Sequence, residues 1–437
     1  MGDKVAIVTL GCDKNRVDSE VMAGVLYSAG YEITVNEEDA DFIIVNTCTF
    51  IKDAQRETED AIEHALSYKG AKVIIAGCHV QRLKEKIEKR FPKASGFLDI
   101  NQVENIDKIL SSVKRGERIK IFDIPSFLYS KYRKRLISTP PGSAYIKISE
   151  GCDHNCTFCI IPKVKGRFRS RTIEDIVNEA NYLTKMGRIE IILIAQDLNS
   201  YGIDIYGRPM IGKLLIELSK IEKVKWIRLL YMYPFNFPYE ILDIMNENPK
   251  ICKYIDIPLQ HISNRILRKM GRKGSKEDIL ELLTYIRNKV PDITLRTSFI
   301  VGFPGEGEDE FNELREFVKE SKFHWVGVFK YSQEEGTYAY NMEKQVPQII
   351  KNQRFMSLMA LQEGITHTLN KDRVGKIEEV LIEEKKGKYF IGRSQKEAPE
   401  IDGTIQIYKA QDMDLGKIKK VRIISSSSYD LSGVLIE

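Results

Sequence analysis

The chain has 437 residues, a formal net charge of +5, and 43% hydrophobic against 30% charged residues. These values describe a soluble globular protein too long for one ordinary core, so two or three domains are expected. No apolar run approaches bilayer-spanning length: Val73–Ala76 and Ile191–Ala195 are strand-sized. The mild positive charge permits an anionic partner without demanding one. The N-terminus runs straight into a strand pattern with no signal peptide. That start and an odd count of seven cysteines lead us to expect a cytoplasmic protein whose cysteines ligate metal rather than form disulfides.

The first segment alternates strands and helices. Val5–Leu10 reads as a buried strand, followed by a helix with Val17, Val21, Met22 and Val25 on one face, stopped by Gly30. Phe42–Val45 is a second strand, followed by a helix from about Asp53 to Tyr68. Val73–Ala76 is a third, again followed by a helix. This βαβαβ pattern predicts a Rossmann-like parallel sheet. Each of the three strands ends in a cysteine: Cys12, Cys48 and Cys78. Strand carboxyl ends share one edge of such a sheet, where ligands bind. Singly, each cysteine would read as a small buried hydrophobe; three at one topological position predict a metal cluster. Gly11 and Gly77 let the backbone approach a bulky ligand. The segment 129–142, rich in charge and turn residues, reads as a linker.

The second segment, 143–369, has six strand-like runs alternating with helices: Tyr145–Ile148, Ile189–Ile194, Trp226–Leu230, Tyr254–Ile257, Thr294–Val301 and Trp325–Phe329. Six β/α repeats predict a partial barrel with its active site at the strand carboxyl ends. Directly after the first strand come Cys152, Cys156 and Cys159, spaced C-x3-C-x2-C. Iron–sulfur clusters are normally held by four cysteines, so a triplet suggests one iron left open for a ligand that is not protein. A zinc site with His154 as fourth ligand is the alternative. Phe158 is placed to cover a cluster or simply to pack in the core.

The third segment, 370–437, carries short β-rich runs (Val380–Ile382, Tyr389–Ile391, Ile405–Tyr408, Lys420–Ile424) and predicts a small OB-like barrel. It holds 13 Lys/Arg against 12 Asp/Glu, a balance that weakens a polynucleotide-binding reading. Lys163–Arg171 has five basic residues in nine. It reads as a solvated surface stretch or as a contact for phosphate, for a cofactor carboxylate, or for another domain or target.

The triplet C-x3-C-x-Φ-C, with an aromatic at Φ, resembles the radical S-adenosylmethionine superfamily, and the chain as a whole resembles its methylthiotransferase branch. The resemblance implies an α/β protein of three domains: an N-terminal cluster domain (1–128), a partial (β/α)6 radical barrel (143–369) and a C-terminal barrel called TRAM (370–437). It implies two 4Fe-4S clusters, one on Cys152, Cys156 and Cys159 and one on Cys12, Cys48 and Cys78. S-adenosylmethionine would serve as both radical source and methyl donor. The stretches Ala195–Gly202, Ile257–His261 and Arg296–Glu306 resemble family motifs at the barrel mouth. They imply cofactor contacts from Gln196, Asp197, Gln260, Arg296, Ser298 and Gly302, beside Phe158. Read alone, these residues and His261 fit ordinary loop, cap and structural roles.

Two branches of the family compete for the substrate. Leu10–Glu20 resembles the motif of the branch that modifies an aspartate of the twelfth small-subunit ribosomal protein, with Asp13 where that motif usually has proline. Ile148–His154 resembles the same branch. The expected partners are therefore that protein or the ribosome, with RNA contact open, and an electron donor such as flavodoxin or ferredoxin. The alternatives are a tRNA-adenosine methylthiotransferase and, from another class, a noncatalytic iron–sulfur RNA-binding sensor.

Overall fold

The apolar runs near the N-terminus form a six-stranded parallel sheet. Its strands are β1 (Lys4–Thr9), β2 (Glu32–Thr34), β3 (Phe42–Thr47), β4 (Lys72–Gly77), β5 (Gly96–Leu98) and β6 (Ile119–Ile121), in the order 2-1-3-4-5-6. Every pairing is parallel. β3 is buried along its whole length, as its continuous apolar run requires of a strand covered on both faces. Ile43, Val45, Val73, Ile75 and Phe97 pack with Ile62 of a covering helix. Helices α1 (Asp13–Ser28), α2 (Lys52–Ser67) and α3 (Cys78–Leu83) follow β1, β3 and β4. The chain turns one way from β1 to β2 and the other way to β3, so the switch point of the sheet lies between β1 and β3. This computed structural model describes residues 2–129, 135–408 and 413–436. Residues 130–134 of the segment read as a linker lie outside the described residues.

β7 (Ser143–Lys147) opens a second sheet. A short antiparallel ladder, β8 (Ser149–Glu150) with β9 (Arg169–Ser170), brackets the loop that carries the cysteine triplet. The second sheet continues through β10 (Glu190–Ile194), β11 (Trp226–Leu229), β12 (Ile251–Asp256), β13 (Thr294–Val301) and β14 (Trp325–Lys330). These strands lie side by side in chain order, β7 at one edge and β14 at the other, and the pairings from β10 to β14 are parallel. This is the six-stranded partial barrel expected from the repeats.

The C-terminal strands are β15 (Ile377–Lys386), β16 (Tyr389–Arg393), β17 (Ile405–Tyr408), β18 (Ile418–Ser426) and β19 (Leu431–Leu435). They close a barrel in the order 15-16-17-19-18 around Val380, Ile382, Phe390, Ile405, Ile407, Val421, Ile423 and Leu431.

By compactness the chain forms two units. One comprises Met1–Ser138, Lys147–Ile176 and Ser332–Tyr340; the other comprises Thr139–Ile146, Val177–Tyr331 and Asn341–Glu437. Within the second unit, the loop after β16 meets the central sheet through buried charge. Arg228 donates to Glu190 at 2.8 Å and to the Gln395 carbonyl at 2.9 Å, and Arg393 donates to Glu190 at 2.7 Å. Trp325 Nε1 donates to the Lys396 carbonyl at 2.8 Å. Glu190 and Trp325 are the first residues of their strands, so these bonds lie on the side of the sheet opposite the strand carboxyl ends.

Candidate metal centre

All six cysteines expected to ligate metal fall in the first unit. Cys12, Cys48 and Cys78 follow β1, β3 and β4 at the carboxyl edge of the N-terminal sheet. Gly11 has φ +96°, and a Cβ there would stand 2.7 Å from the Cys48 Cβ and 2.8 Å from its Sγ. Only glycine permits this approach. Asn15 ties the three strand ends together: its Nδ2 donates to the carbonyls of Leu10 (2.8 Å) and Thr47 (3.0 Å), and the Cys78 thiol lies 3.7 Å from its Oδ1. Thr58 braces Cys48 by accepting from its N–H at 3.1 Å and donating to its carbonyl at 2.8 Å.

Burial pushes the Cys48 thiol up to about 11 and the Cys78 thiol up to about 12, and the neighbouring cysteines add to both shifts. As free thiols they are protonated and inert; bound metal would draw out the proton. Two buried thiols and the half-buried Cys12, at neighbouring strand ends beside a glycine-cleared space, suit a cluster.

The triplet lies between β8 and β9. Gly151 (φ +82°) sets the turn into it, and a Cβ there would lie 2.1 Å from the Arg167 carbonyl. The backbone N–H groups of His154 and Ile161 point at the sulfurs of Cys152 and Cys159, at 3.5 and 3.4 Å. Hydrogen bonds to sulfur are among the protein's means of tuning a cluster. Cys152 is buried, while Cys156, Phe158 and Cys159 are half-buried, so the loop keeps an accessible side. Among the described residues no three or more His, Cys, Asp or Glu side chains gather around a point able to hold a single metal ion. A four-iron cluster spreads its thiolates more widely, since each binds a different iron.

The two trios are neighbours within this unit. Ile160 and Val164, just after the triplet, pack with Cys78 and Ile100 in one apolar cluster. The segment Ser332–Tyr340 closes on the same region. Glu334 accepts from Arg82 at 2.9 Å and from Gln55 at 2.7 Å, and Ala339 N–H donates to the Thr157 carbonyl at 2.8 Å.

Buried charge surrounds the trios, which reading by residue type did not foresee. Lys147 donates to Asp18 and to Glu150 at 2.6 Å each, and Tyr129 donates to Asp18. Glu20 accepts from Arg135 and from Ser138. The only sequence signal was that Asp18 and Glu20 belong to the stretch after Cys12, and Glu150 to the stretch before Cys152. Most of the basic run Lys163–Arg171 is committed inward: Lys165 and Arg171 are buried, Lys163 donates to the Gly336 carbonyl, and Arg169 donates to the Phe127 carbonyl. Arg167 is 89% exposed and pairs with Asp153.

The residues expected at the barrel mouth belong to the second unit. Gln196 and Asp197 follow β10. Asp197 accepts from the Asn199 N–H at 2.9 Å and the Ser200 hydroxyl at 2.6 Å, capping its loop. Gln260 has φ +73° and continues the sheet beyond β12: its N–H donates to the Ser298 carbonyl and its carbonyl accepts from the Ile300 N–H, both at 2.8 Å. Gly302 follows β13 with φ +74°, and a Cβ there would meet Lys351 Cγ at 2.3 Å. Ser298 is buried within β13. Arg296, third in that strand, is paired with Asp256 at 3.0 Å and Asp402 at 3.3 Å. His261 is fully buried; its Nδ1 accepts from the Ser263 N–H and its Nε2 lies 3.6 Å from Glu306, a structural placement.

Comparison with known proteins adds three family matches: Uncharacterized protein family UPF0004 over residues 4–99, the radical SAM superfamily over 146–318 and the TRAM domain over 374–436. Along its whole length the chain is similar to ribosomal protein uS12 methylthiotransferases RimO. It is 44% identical to that of Pelotomaculum thermopropionicum (99% of each chain) and 45% identical to that of Caldicellulosiruptor saccharolyticus (99% of this chain and 100% of the relative). Among solved structures its fold is similar to the radical S-adenosylmethionine methyltransferase TsrM from Kitasatospora setae. The TM-score is 0.57 at 16% identity, covering 76% of this chain and 75% of that one. At that identity the likeness is one of fold alone.

Proposed function

This chain belongs to the family of ribosomal protein uS12 methylthiotransferases, and from that premise we propose that it inserts sulfur and a methyl group at the β-carbon of an aspartate in uS12. Its three regions serve as a cluster domain (1–128), a radical barrel (143–369) and a TRAM barrel (370–437). Cys152, Cys156 and Cys159 hold one 4Fe-4S cluster by three thiolates, which leaves one iron open to S-adenosylmethionine. Cys12, Cys48 and Cys78 hold the second. When bound, these groups supply one-electron cleavage of the cofactor, a substrate-activating radical, and the sulfur and methyl that are transferred.

The chain's own residues bind, orient and shield. The His154 and Ile161 N–H groups fix the sulfurs of the triplet, and Phe158 covers its accessible side. Gln196, Asp197, Gln260, Ser298 and Gly302 supply polar groups and close backbone approach for the cofactor's ribose and methionyl ends, and Arg296 holds the floor beneath them through Asp256. The electron arrives from a small donor of the flavodoxin or ferredoxin type, and the reaction takes place in the cytoplasm, in contact with the ribosomal protein and any RNA that flanks it.

The observation that carries this reading is the convergence of both thiol trios in one compact unit, with Ile160 and Val164 of one packed on Cys78 of the other. The test is incubation of the reconstituted protein with a peptide carrying the uS12 aspartate loop and, separately, with an anticodon stem-loop RNA. Methylthio mass gain on the peptide alone is expected; gain on the RNA alone would overturn the substrate assignment.

A further inference from the structure

Lys165 ends the short helix Ile161–Lys165 that leads away from the triplet, and it is 2% exposed. Two carboxylates stand near its ammonium, Asp18 at 3.7 Å and Glu150 at 3.6 Å, both beyond hydrogen-bond length. The same two carboxylates take 2.6 Å bonds from Lys147. The Lys165 ammonium is therefore within hydrogen-bond length of neither carboxylate, and it makes no hydrogen bond among the described residues. A buried ammonium with unspent donors is strongly disfavoured unless an acceptor is supplied.

The surroundings indicate where that acceptor lies. Lys165 lines a small cavity of about 10 Å³ together with Asn15, Asn46 and Gly77, the residues that frame the N-terminal thiol trio. Its neighbour Val164 packs on Cys78. Asn15, which shares that cavity, has its Oδ1 3.7 Å from the Cys78 thiol. A cluster on three thiolates presents anionic sulfur, the kind of acceptor this ammonium lacks.

We propose that Lys165, although it belongs to the segment that follows the radical triplet, is a positioning residue for the other cluster: its ammonium donates hydrogen bonds and a fixed positive charge to the sulfur face held by Cys12, Cys48 and Cys78. The proposal rests on the reading of that trio as a cluster site. A fixed cation there would favour the reduced, more negative state of a cluster held by those thiolates.

The experiment is a potentiometric titration of full-length protein in which Cys152, Cys156 and Cys159 are alanine, so that only the N-terminal cluster is present. Lys165→Met is expected to shift its oxidised-to-reduced ratio at fixed potential at least tenfold toward oxidised, about 59 mV for one electron. Lys165→Arg should restore it to within about threefold. In the complementary protein lacking Cys12, Cys48 and Cys78, Lys165→Met should move the remaining cluster less than threefold. Equal shifts at both clusters, no shift at the first, or an arginine variant as displaced as the methionine one would overturn the proposal. If Lys165→Met folds poorly, Lys165→Gln is read against the same criteria. Absence of iron from the first protein would overturn the cluster reading and this proposal with it. The expected shift in an enzyme that leaves uS12 unmodified would overturn only the substrate reading.

Discussion

Gly11 and Cys48 share a space too small for a methyl group. Gly11→Ala places a Cβ 2.7 Å from Cys48 in a backbone region that alanine disfavours, with an expected cost of about 1–3 kcal/mol. It should strip iron from the N-terminal trio alone, which iron analysis reads as a fall from two clusters' worth to one. The cysteines themselves divide the labour. Cys152→Ala should abolish formation of 5'-deoxyadenosine, whereas Cys12→Ala should preserve it and block methylthio transfer; chromatography of the nucleoside beside mass spectrometry of the peptide separates the two outcomes. A titratable prediction belongs to His324. Burial pushes it down to about 4, Lys396, Arg373 and Arg287 act in the same direction, and its Nδ1 accepts the Leu295 N–H at 3.3 Å. The folded state thus binds fewer protons here than the unfolded chain. The stability His324 contributes is complete above its ordinary value of 6.5 and is lost as pH falls through about 4. The amount is bounded at about 3 kcal/mol. Asp402, pushed up to about 6 by burial, works in the opposite sense, its contribution present below 3.8 and lost as pH rises through 6. Thermal melts of His324→Gln against the parent at each pH isolate the first: the difference should shift in favour of the variant as pH falls from 6.5 to 4.

At the scale of elements, what could be read from sequence tracks how apolar each element is. β1, β3 and β4 announced themselves as buried apolar runs, and with them the strand-end cysteines. β2, β5 and β6 are three residues each, too short for any period to emerge. β19 is interrupted by Gly433, where a Cβ would stand 2.3 Å from Val421; the break that hides the strand is what lets it pack. The 24-residue helix Gln348–Lys371 buries Lys351, Arg354, Gln362, Thr366 and Asn370 beside a single fully buried apolar residue, Leu358, so its inward face is mostly polar and gives little hydrophobic stripe to detect. The same blindness covered Asp18, Glu20, Lys147 and Lys165, since charge ordinarily signals surface. The basic run after the triplet (Lys163, Lys165, Arg167, Arg169, Arg171) shows the consequence: its charge reads as a solvated surface stretch or a contact surface, yet Lys165 and Arg171 are buried.

At the scale of the molecule, the second unit joins two barrels through ion pairs, and this predicts how it fails. Arg393 bonds Glu190 of the central sheet and Glu383 of the C-terminal barrel, with all three buried. Arg393→Ala leaves Glu383 uncompensated and Glu190 with Arg228 alone, and should destabilise the unit by about 3–5 kcal/mol, measurable as a lowered denaturation midpoint. Removing the C-terminal barrel outright takes Arg393 from Glu190 and the Ser394 and Gln395 carbonyls from Arg228, so the central barrel is not expected to survive alone as a stable fragment.

The two thiol trios also differ in how far apart the chain holds their members. Cys152, Cys156 and Cys159 lie within eight residues and can meet iron as soon as that short loop exists. Cys12, Cys48 and Cys78 come together only after β1, β3 and β4 have paired across the switch point of their sheet. Maturation of the protein therefore has an order built into its topology. One metal site can be loaded on a nascent or partly folded chain, and the other must wait for folding to finish, making it a checkpoint that only a correctly assembled N-terminal sheet can pass.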